Sequence, residues 1–239
     1  MSSGCGSQHL VCLRQAKRDT GRSESYPPGK PGYSLADLVG DAVGVLDATA
    51  RAHVAGMSAG GWIAQLLALS HPERVATLTL IASRPNTPGP VDDDLPGHHN
   101  AVMKVIMNTP APDWSDKRAV VDHLVLQART FAGAGAFDEA SARAHAEAEV
   151  ARTTDIQCAM TNIALADHGP RWRERLADIT APTLVLHGED DPFFPIGNGE
   201  ALAAETPDAR LVRLGRAGHR LPAHALPIVA EELIAHTAG

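Results

Sequence analysis

Cysteine is scarce in this 239-residue chain: Cys5, Cys12 and Cys158 are the whole complement. They form no Cys-x-x-Cys pair and leave at least one thiol over, which argues against a disulfide framework and a thiolate zinc site. Each reads instead as a buried or incidental thiol. Basic charge is short as well. With 21 Lys and Arg against 28 Asp and Glu, the formal net charge is −7, the wrong sign for a surface that binds polyanions, so nucleic acid is not an expected partner. No apolar run reaches the roughly 18–20 residues that cross a bilayer, and the N-terminal stretch offers only Leu10-Val11-Cys12-Leu13, too short for a signal-peptide core. No membrane partner is expected, and the cytoplasm is the default location. Neither a Gly-x-Gly-x-x-Gly fingerprint nor a Walker loop occurs, so no nucleotide cofactor is implied.

What is present is a 44% hydrophobic, 21% charged chain with enough apolar content for one large core and an accessory layer. Residues 1–30 are polar apart from the strand-like Leu10–Leu13, and the prolines at 27, 28 and 31 mark a loop. A helix then starts with Ser34 as cap and Asp37 three residues on, carrying apolar residues at 35, 38, 39, 42, 43, 45 and 46 with helical spacing. His53–Gly56 reads as a short buried strand, Ala59–Ser70 as a helix, and Arg74–Ala82 as the near-continuous apolar run of a parallel strand covered on both faces. Strand, sharp turn, helix, strand is the pattern of a doubly wound sheet.

Residues 84–117 change character, with six prolines and Asp92-Asp93-Asp94, and are not expected to form a packed core element alone. Helical stretches follow at 118–131 and 137–152, separated by Gly133-Ala134-Gly135. The sheet pattern resumes at Pro182–Gly188, with a helix over 198–205, a strand at Arg210–Leu214 and a last helix over 226–236. The reading is a core of residues 1–84 and 179–239 with an inserted helical cap at 85–178.

Gly56-Met57-Ser58-Ala59-Gly60-Gly61 falls at a strand-to-helix junction, the context required of a Gly-x-Ser-x-Gly nucleophile elbow. A serine there sits on a strained backbone, so small neighbours are needed, and Gly56 and Gly60 are read as supplying them. The helix beginning at Ala59 aims its N–H groups at the site, which makes the Ala59 N–H a candidate oxyanion donor. Serine needs a base, and the base an orienting carboxylate. Gly188-Glu189-Asp190-Asp191-Pro192 follows one buried strand and Ala217-Gly218-His219 the next, both at the carboxyl end of the sheet, where open α/β sheets bind ligands. Ser58, Asp191 and His219 are therefore the candidate catalytic residues, with Asp190 and then Glu189 as alternatives for the acid. Met57, Trp114 and Phe193 are candidates for lining the substrate site. Trp62 and Trp172 read as core or cap anchors, and His187 as a strand-end residue packed behind the acid loop. His98-His99 lack a third spaced ligand and read as a solvated loop, so no metal is expected.

On these residues the chain resembles the α/β-hydrolase superfamily, and more narrowly the aclacinomycin methylesterase-like hydrolases. The matching stretches are Arg18-Asp19-Thr20-Gly21-Arg22-Ser23, Pro28–Asp47, Ala52–Leu80, Pro182–Pro195 and Gly215–His219, the last with Arg216 where a smaller or acidic residue is common. The resemblance implies a mostly parallel sheet with flanking helices and a cap that shapes substrate choice. In that family the Arg-Asp-Thr-Gly-Arg-Ser segment follows a fourth strand, and the third strand ends in a His-Gly loop giving a second oxyanion N–H. Only residues 1–17 precede the segment here, room for one strand at His9–Leu13, whereas three more strands need roughly 30 residues. Strands 1–3 and that loop are expected to be missing.

The leading expectation is a serine-dependent carboxylic ester hydrolase without cofactors. The resemblance points to methyl esters of polyketide-like substrates, and the protein would be a monomer or homodimer. Two alternatives stand beside it: a catalytically impaired fragment or binding protein of the same fold, and a cofactor-free perhydrolase or C–C bond hydrolase using the same three residues. The dehalogenase variant is disfavoured because position 58 is not a carboxylate.

Overall fold

The computed structural model describes residues 12–47, 49–85, 92–133 and 137–238. Helix α1 spans Leu35–Leu46 and opens on a complete capping box: the Ser34 hydroxyl accepts the Asp37 N–H while the Asp37 carboxylate accepts the Ser34 N–H. Its stripe of Leu35, Leu38, Val39 and Leu46 is buried, as its helical spacing requires. Strand β1 (Ala52–Met57) follows, then helix α2 (Ala59–Ser70), a 3-10 turn at Pro72–Arg74 and strand β2 (Val75–Ile81). After a long helical excursion come strand β3 (Thr183–Gly188), helix α7 (Gly197–Glu205), strand β4 (Ala209–Leu214) and helix α8 (Leu226–Thr237).

The four strands among the described residues are parallel and lie in the order β1-β2-β3-β4. Every residue of β3 is buried, as expected of a parallel strand covered on both faces. Leu184 and Leu186 face Ala225 and the α8 residue Val229, whereas Val185 turns to the opposite core with Trp62 of α2 and Leu202 of α7. Because each link returns the chain in the same direction, the carboxyl ends of β1, β3 and β4 emerge together along one edge of the sheet. That alignment places the three loops carrying Ser58, Asp191 and His219 side by side.

Among the described residues β1 has a hydrogen-bonded neighbour on one side only. Of the strand expected at His9–Leu13, residues 9–11 lie outside the described residues, as does Cys5, while Cys12 and Leu13 are exposed and belong to no strand. The segment from 17 onward is tied down by side chains. The Arg18 guanidinium holds the Asp41 carboxylate through two nitrogens, and the buried Asp19 accepts the Tyr26 N–H and an Asn162 amide hydrogen.

The excursion between β2 and β3 carries α3 (Asn100–Asn108), α4 (Lys117–Phe131), α5 (Glu139–Arg152) and α6 (Ile156–Thr161). Val120, Val121, Leu124 and Val125 of α4 pack with Ala146 of α5 in a small core of their own. Helix α3 lies inside the proline-rich 84–117, where residues 97–109 contain no proline; Val102 is its one buried residue, and no α3 residue belongs to the core clusters among the described residues. Arg173, mostly buried, bridges Asp92, Asp94 and Glu205, fastening the start of the excursion to α7. No helix among the described residues is long and apolar enough to cross a membrane.

Candidate active site

Ser58 sits between β1 and α2 at φ 52°, ψ −120°, a backbone state that costs a non-glycine residue about 1–3 kcal/mol. Three hydrogen bonds hold it there: Ser58 N–H to the Ile81 carbonyl at 2.9 Å, Gly61 N–H to the Ser58 carbonyl at 2.9 Å, and the Ser83 hydroxyl to that carbonyl at 3.0 Å. The turn is tight enough that a Cβ at Gly56 would lie 2.2 Å from the Gly60 carbonyl oxygen. A Cβ at Gly60 meets open space, and Gly61, against Ser83, is the second crowded position instead. The reading of Gly60 as a required small neighbour is corrected accordingly.

The Ser58 Oγ lies 2.9 Å from His219 Nε2, and His219 Nδ1 lies 2.9 Å from Asp191 Oδ2. Serine and histidine are 161 positions apart. The carboxylate can only accept, so Nδ1 carries the ring proton and Nε2 presents its lone pair to the Ser58 hydroxyl. Asp191 is 1% exposed, and its second oxygen accepts the Phe193 and Phe194 N–H groups at 2.8 Å each. Asp190 is half-buried and Glu189 exposed, and neither is bonded to the His219 ring. The acid loop thus brings Asp191, rather than its two acidic neighbours, to the histidine.

His187 is fully buried behind this loop. Its Nε2–H donates to the Phe194 carbonyl at 2.7 Å, and burial pushes its pKa down, so it stays neutral although Nε2 is 3.6 Å from Asp191 Oδ2. A neutral His187 leaves the Asp191 charge to His219.

Rings close the site. Phe193 and Phe194 both stand edge-on to the His219 ring at 5.0 Å between centroids, and Phe131 at the end of α4 approaches it at 5.8 Å. His98 corrects the solvated-loop reading: its ring stacks on Phe193 at 4.3 Å and Nδ1 meets the Phe193 carbonyl, while burial lowers its pKa. His99 is exposed. Met57, 39% exposed, lies beside Ser58 in the chain. Trp114 packs against the α4–α5 core, with its ring 6.2 Å from that of His123, and has no described contact with Ser58 or His219. His123 in turn lines a cleft between α3 and α4 whose walls include Val105, Leu126 and Phe131. Phe131, Phe194 and Ser83 were not singled out in the sequence. Phe194 follows Phe193 in the acid loop itself, whereas Phe131 and Ser83 come from other segments, and only the glycines after Phe131 marked a helix end there.

Ala59 opens α2, and the first N–H groups of a helix have no intrahelical partner. Its N–H adjoins the serine at the positive end of a 12-residue helix. Among the described residues no group of three or more His, Cys, Asp or Glu side chains is placed to hold a metal ion. The arrangement can take a proton from a serine hydroxyl, hold it on a carboxylate-supported imidazole and offer a donor to a developing oxyanion.

Comparison with known proteins bears on this geometry. Residues 3–232 match the model of the alpha/beta hydrolase family. Rhodomycin D methylesterase DnrP of Streptomyces peucetius is 32% identical, over 96% of this chain and 81% of that protein. A 2-hydroxy-6-oxononadienedioate/2-hydroxy-6-oxononatrienedioate hydrolase of Burkholderia vietnamiensis is 31% identical over 74% of this chain and 59% of its own length. The crystal structure of a hydrolase from Pseudomonas aeruginosa PA01 superimposes with a TM-score of 0.63 at 29% identity, covering 93% of this chain and 77% of that one.

Proposed function

Because this chain belongs to the alpha/beta hydrolase family, and is thus a hydrolase, we propose that it cleaves carboxylic esters through an acyl-enzyme formed on Ser58. The observation that carries the reading is the unbroken relay from Ser58 Oγ through the His219 ring to Asp191, with both contacts at 2.9 Å. His219 Nε2 takes the hydroxyl proton as Oγ attacks the ester carbonyl, and the oxyanion is met by the Ala59 N–H. Collapse of the tetrahedral intermediate breaks the ester C–O bond, and the departing alkoxide takes the proton back from Nε2. Water then attacks the acyl-serine carbonyl, giving its proton to Nε2, and release of the acid returns that proton to Ser58 Oγ. Asp191 holds the tautomer and stabilises the imidazolium that forms twice per cycle.

Residues 85–178 act as the cap in this reading, and the methyl ester of a large, polyketide-like ring system is the substrate class we favour; a relative named rhodomycin D methylesterase supports the methyl ester. Hydrolysis of p-nitrophenyl acetate by the wild type and Ser58→Ala tests the mechanism. Loss of turnover together with disappearance of an acetyl adduct on Ser58 supports it, and equal turnover by both overturns it. A second reading, cleavage of a C–C bond by the same three residues, has in its favour the 31% identity to a dienedioate hydrolase. Product analysis on a vinylogous diketone against a methyl ester separates the two.

A further inference from the structure

Helix α4 does not end in solvent. Its last residue, Phe131, accepts the main-chain N–H of His219 at 2.8 Å, and the Phe131 ring lies against His219 and, at 4.9 Å, against Phe193. The next two residues press on the same loops. A Cβ at Gly218 would lie 2.4 Å from the Phe131 and Ala132 carbonyl oxygens. One at Gly133, whose φ is +70°, would lie 2.2 Å from the Asp190 carbonyl oxygen. These closest approaches are to backbone atoms, which cannot swing aside as a flexible side chain does. The end of α4 is therefore wedged between the loop that supplies the acid and the loop that supplies the base, and touches both.

We propose that the C-terminal turn of α4 sets the register of the acid and histidine loops, with Phe131 acting as a positioning residue for His219. The inference rests on the hydrolase reading of Ser58, Asp191 and His219. The α4 carbonyl fixes the backbone of His219, and the ring limits how its imidazole can tilt. Neither β3 nor β4 supplies a substitute, because His219 lies five residues beyond the end of β4 at Leu214. Displacing the turn should spoil the alignment of Nε2 on Ser58, and so act on kcat.

Gly133→Ala tests this against a matched control. Gly169 has nearly the same backbone, φ +69°, but a Cβ there meets nothing within 4 Å, so Gly169→Ala carries the same strain without the wedge. With p-nitrophenyl acetate, Gly133→Ala should lose on the order of tenfold or more in kcat with KM little changed, the scale expected of sub-ångström misplacement, while Gly169→Ala keeps the wild-type kcat. Phe131→Ala should show the same kcat loss, and Phe131→Leu, which restores apolar bulk against the imidazole, should recover most of it. This pair decides the matter if Gly133→Ala fails to fold, as judged by circular dichroism. Equal kcat in the two glycine variants overturns the inference, as does a loss in Phe131→Ala that lies in KM alone or that leucine does not relieve. Ser58→Ala run alongside separates the two levels: activity that survives it sinks the hydrolase reading, whereas activity that dies with it while Phe131→Ala stays at wild-type kcat sinks only the positioning role.

Discussion

The elbow makes a prediction in which the two glycines flanking Ser58 part company. Replacing Gly56 by alanine puts a methyl carbon 2.2 Å from the Gly60 carbonyl oxygen and 2.5 Å from its carbonyl carbon, where contact requires more than 3 Å. Neither atom belongs to a side chain, so the end of β1 and the first turn of α2 must separate by about 1 Å to relieve the overlap. Ser58 rides on that junction, and its 2.9 Å bond to His219 cannot survive a shift of that size. Gly56→Ala should therefore cost about 1–3 kcal/mol in urea unfolding, as overpacking does, and about a hundredfold in p-nitrophenyl acetate turnover, as an ångström of misplacement does. At Gly60 the added methyl meets no atom within 4 Å and sits in the first turn of a helix. Gly60→Ala should gain about 0.5 kcal/mol from reduced backbone entropy of the unfolded chain. Retention of more than a tenth of wild-type turnover by Gly56→Ala, or destabilisation by Gly60→Ala of about 1 kcal/mol or more, would refute the reasoning.

The remaining predictions concern the acid loop and the excursion. Asp191→Asn should lower kcat by about 10³–10⁴ because the amide leaves the imidazole in the wrong tautomer, whereas Asp190→Asn should stay within about threefold of wild type; comparable losses would reassign the acid. His187, buried and neutral with a depressed pKa, binds its proton more readily in the unfolded chain than in the folded one. Its contribution is therefore present above the ordinary histidine pKa near 6.5 and is lost as pH falls below it, by up to about 1.4 kcal/mol per pH unit. His187→Gln, whose amide can still donate to the Phe194 carbonyl, should flatten the fall of unfolding free energy between pH 6.5 and 5 relative to wild type, and parallel slopes would count against a neutral His187. Arg173→Ala leaves the carboxylates of Asp92, Asp94 and Glu205 without that partner and should cost about 2 kcal/mol in urea unfolding; a change under about 0.5 kcal/mol would show the bridge to be ornamental.

The core of this fold is legible wherever local chemistry and burial agree. Ser34 and Asp37 announce α1, the apolar run of Pro182–Gly188 announces β3, and the order serine, acid, histidine follows from three loops after three strands. Legibility fails where a contact spans the chain. Nothing around Phe131 marks it as a neighbour of His219, because the signal is a carbonyl meeting an N–H 88 positions away. His98 looked like a loop residue since its stacking partner Phe193 lies 95 positions further on. Helix α3 was hidden by the prolines around it, which bound the segment rather than break it.

The glycine at position 60 shows the same limit from the other side. A Gly-x-Ser-x-Gly pattern is symmetric about its serine, and a sequence reader gives both glycines the same duty. The turn is not symmetric: β1 approaches α2 from one direction, so the crowding falls on Gly56 before the serine and on Gly61, against the Ser83 hydroxyl at 2.3 Å from an added Cβ, after it. What keeps Ser58 at its strained angle is thus a clamp between the end of β1, the first turn of α2, and Ile81 and Ser83 at and just beyond the end of β2, with each hydrogen bond of about 1 kcal/mol offsetting part of the 1–3 kcal/mol of strain. Three such bonds suffice to balance it. The elbow can therefore hold its conformation without help from a ligand, and the serine is presented to His219 before any ester arrives.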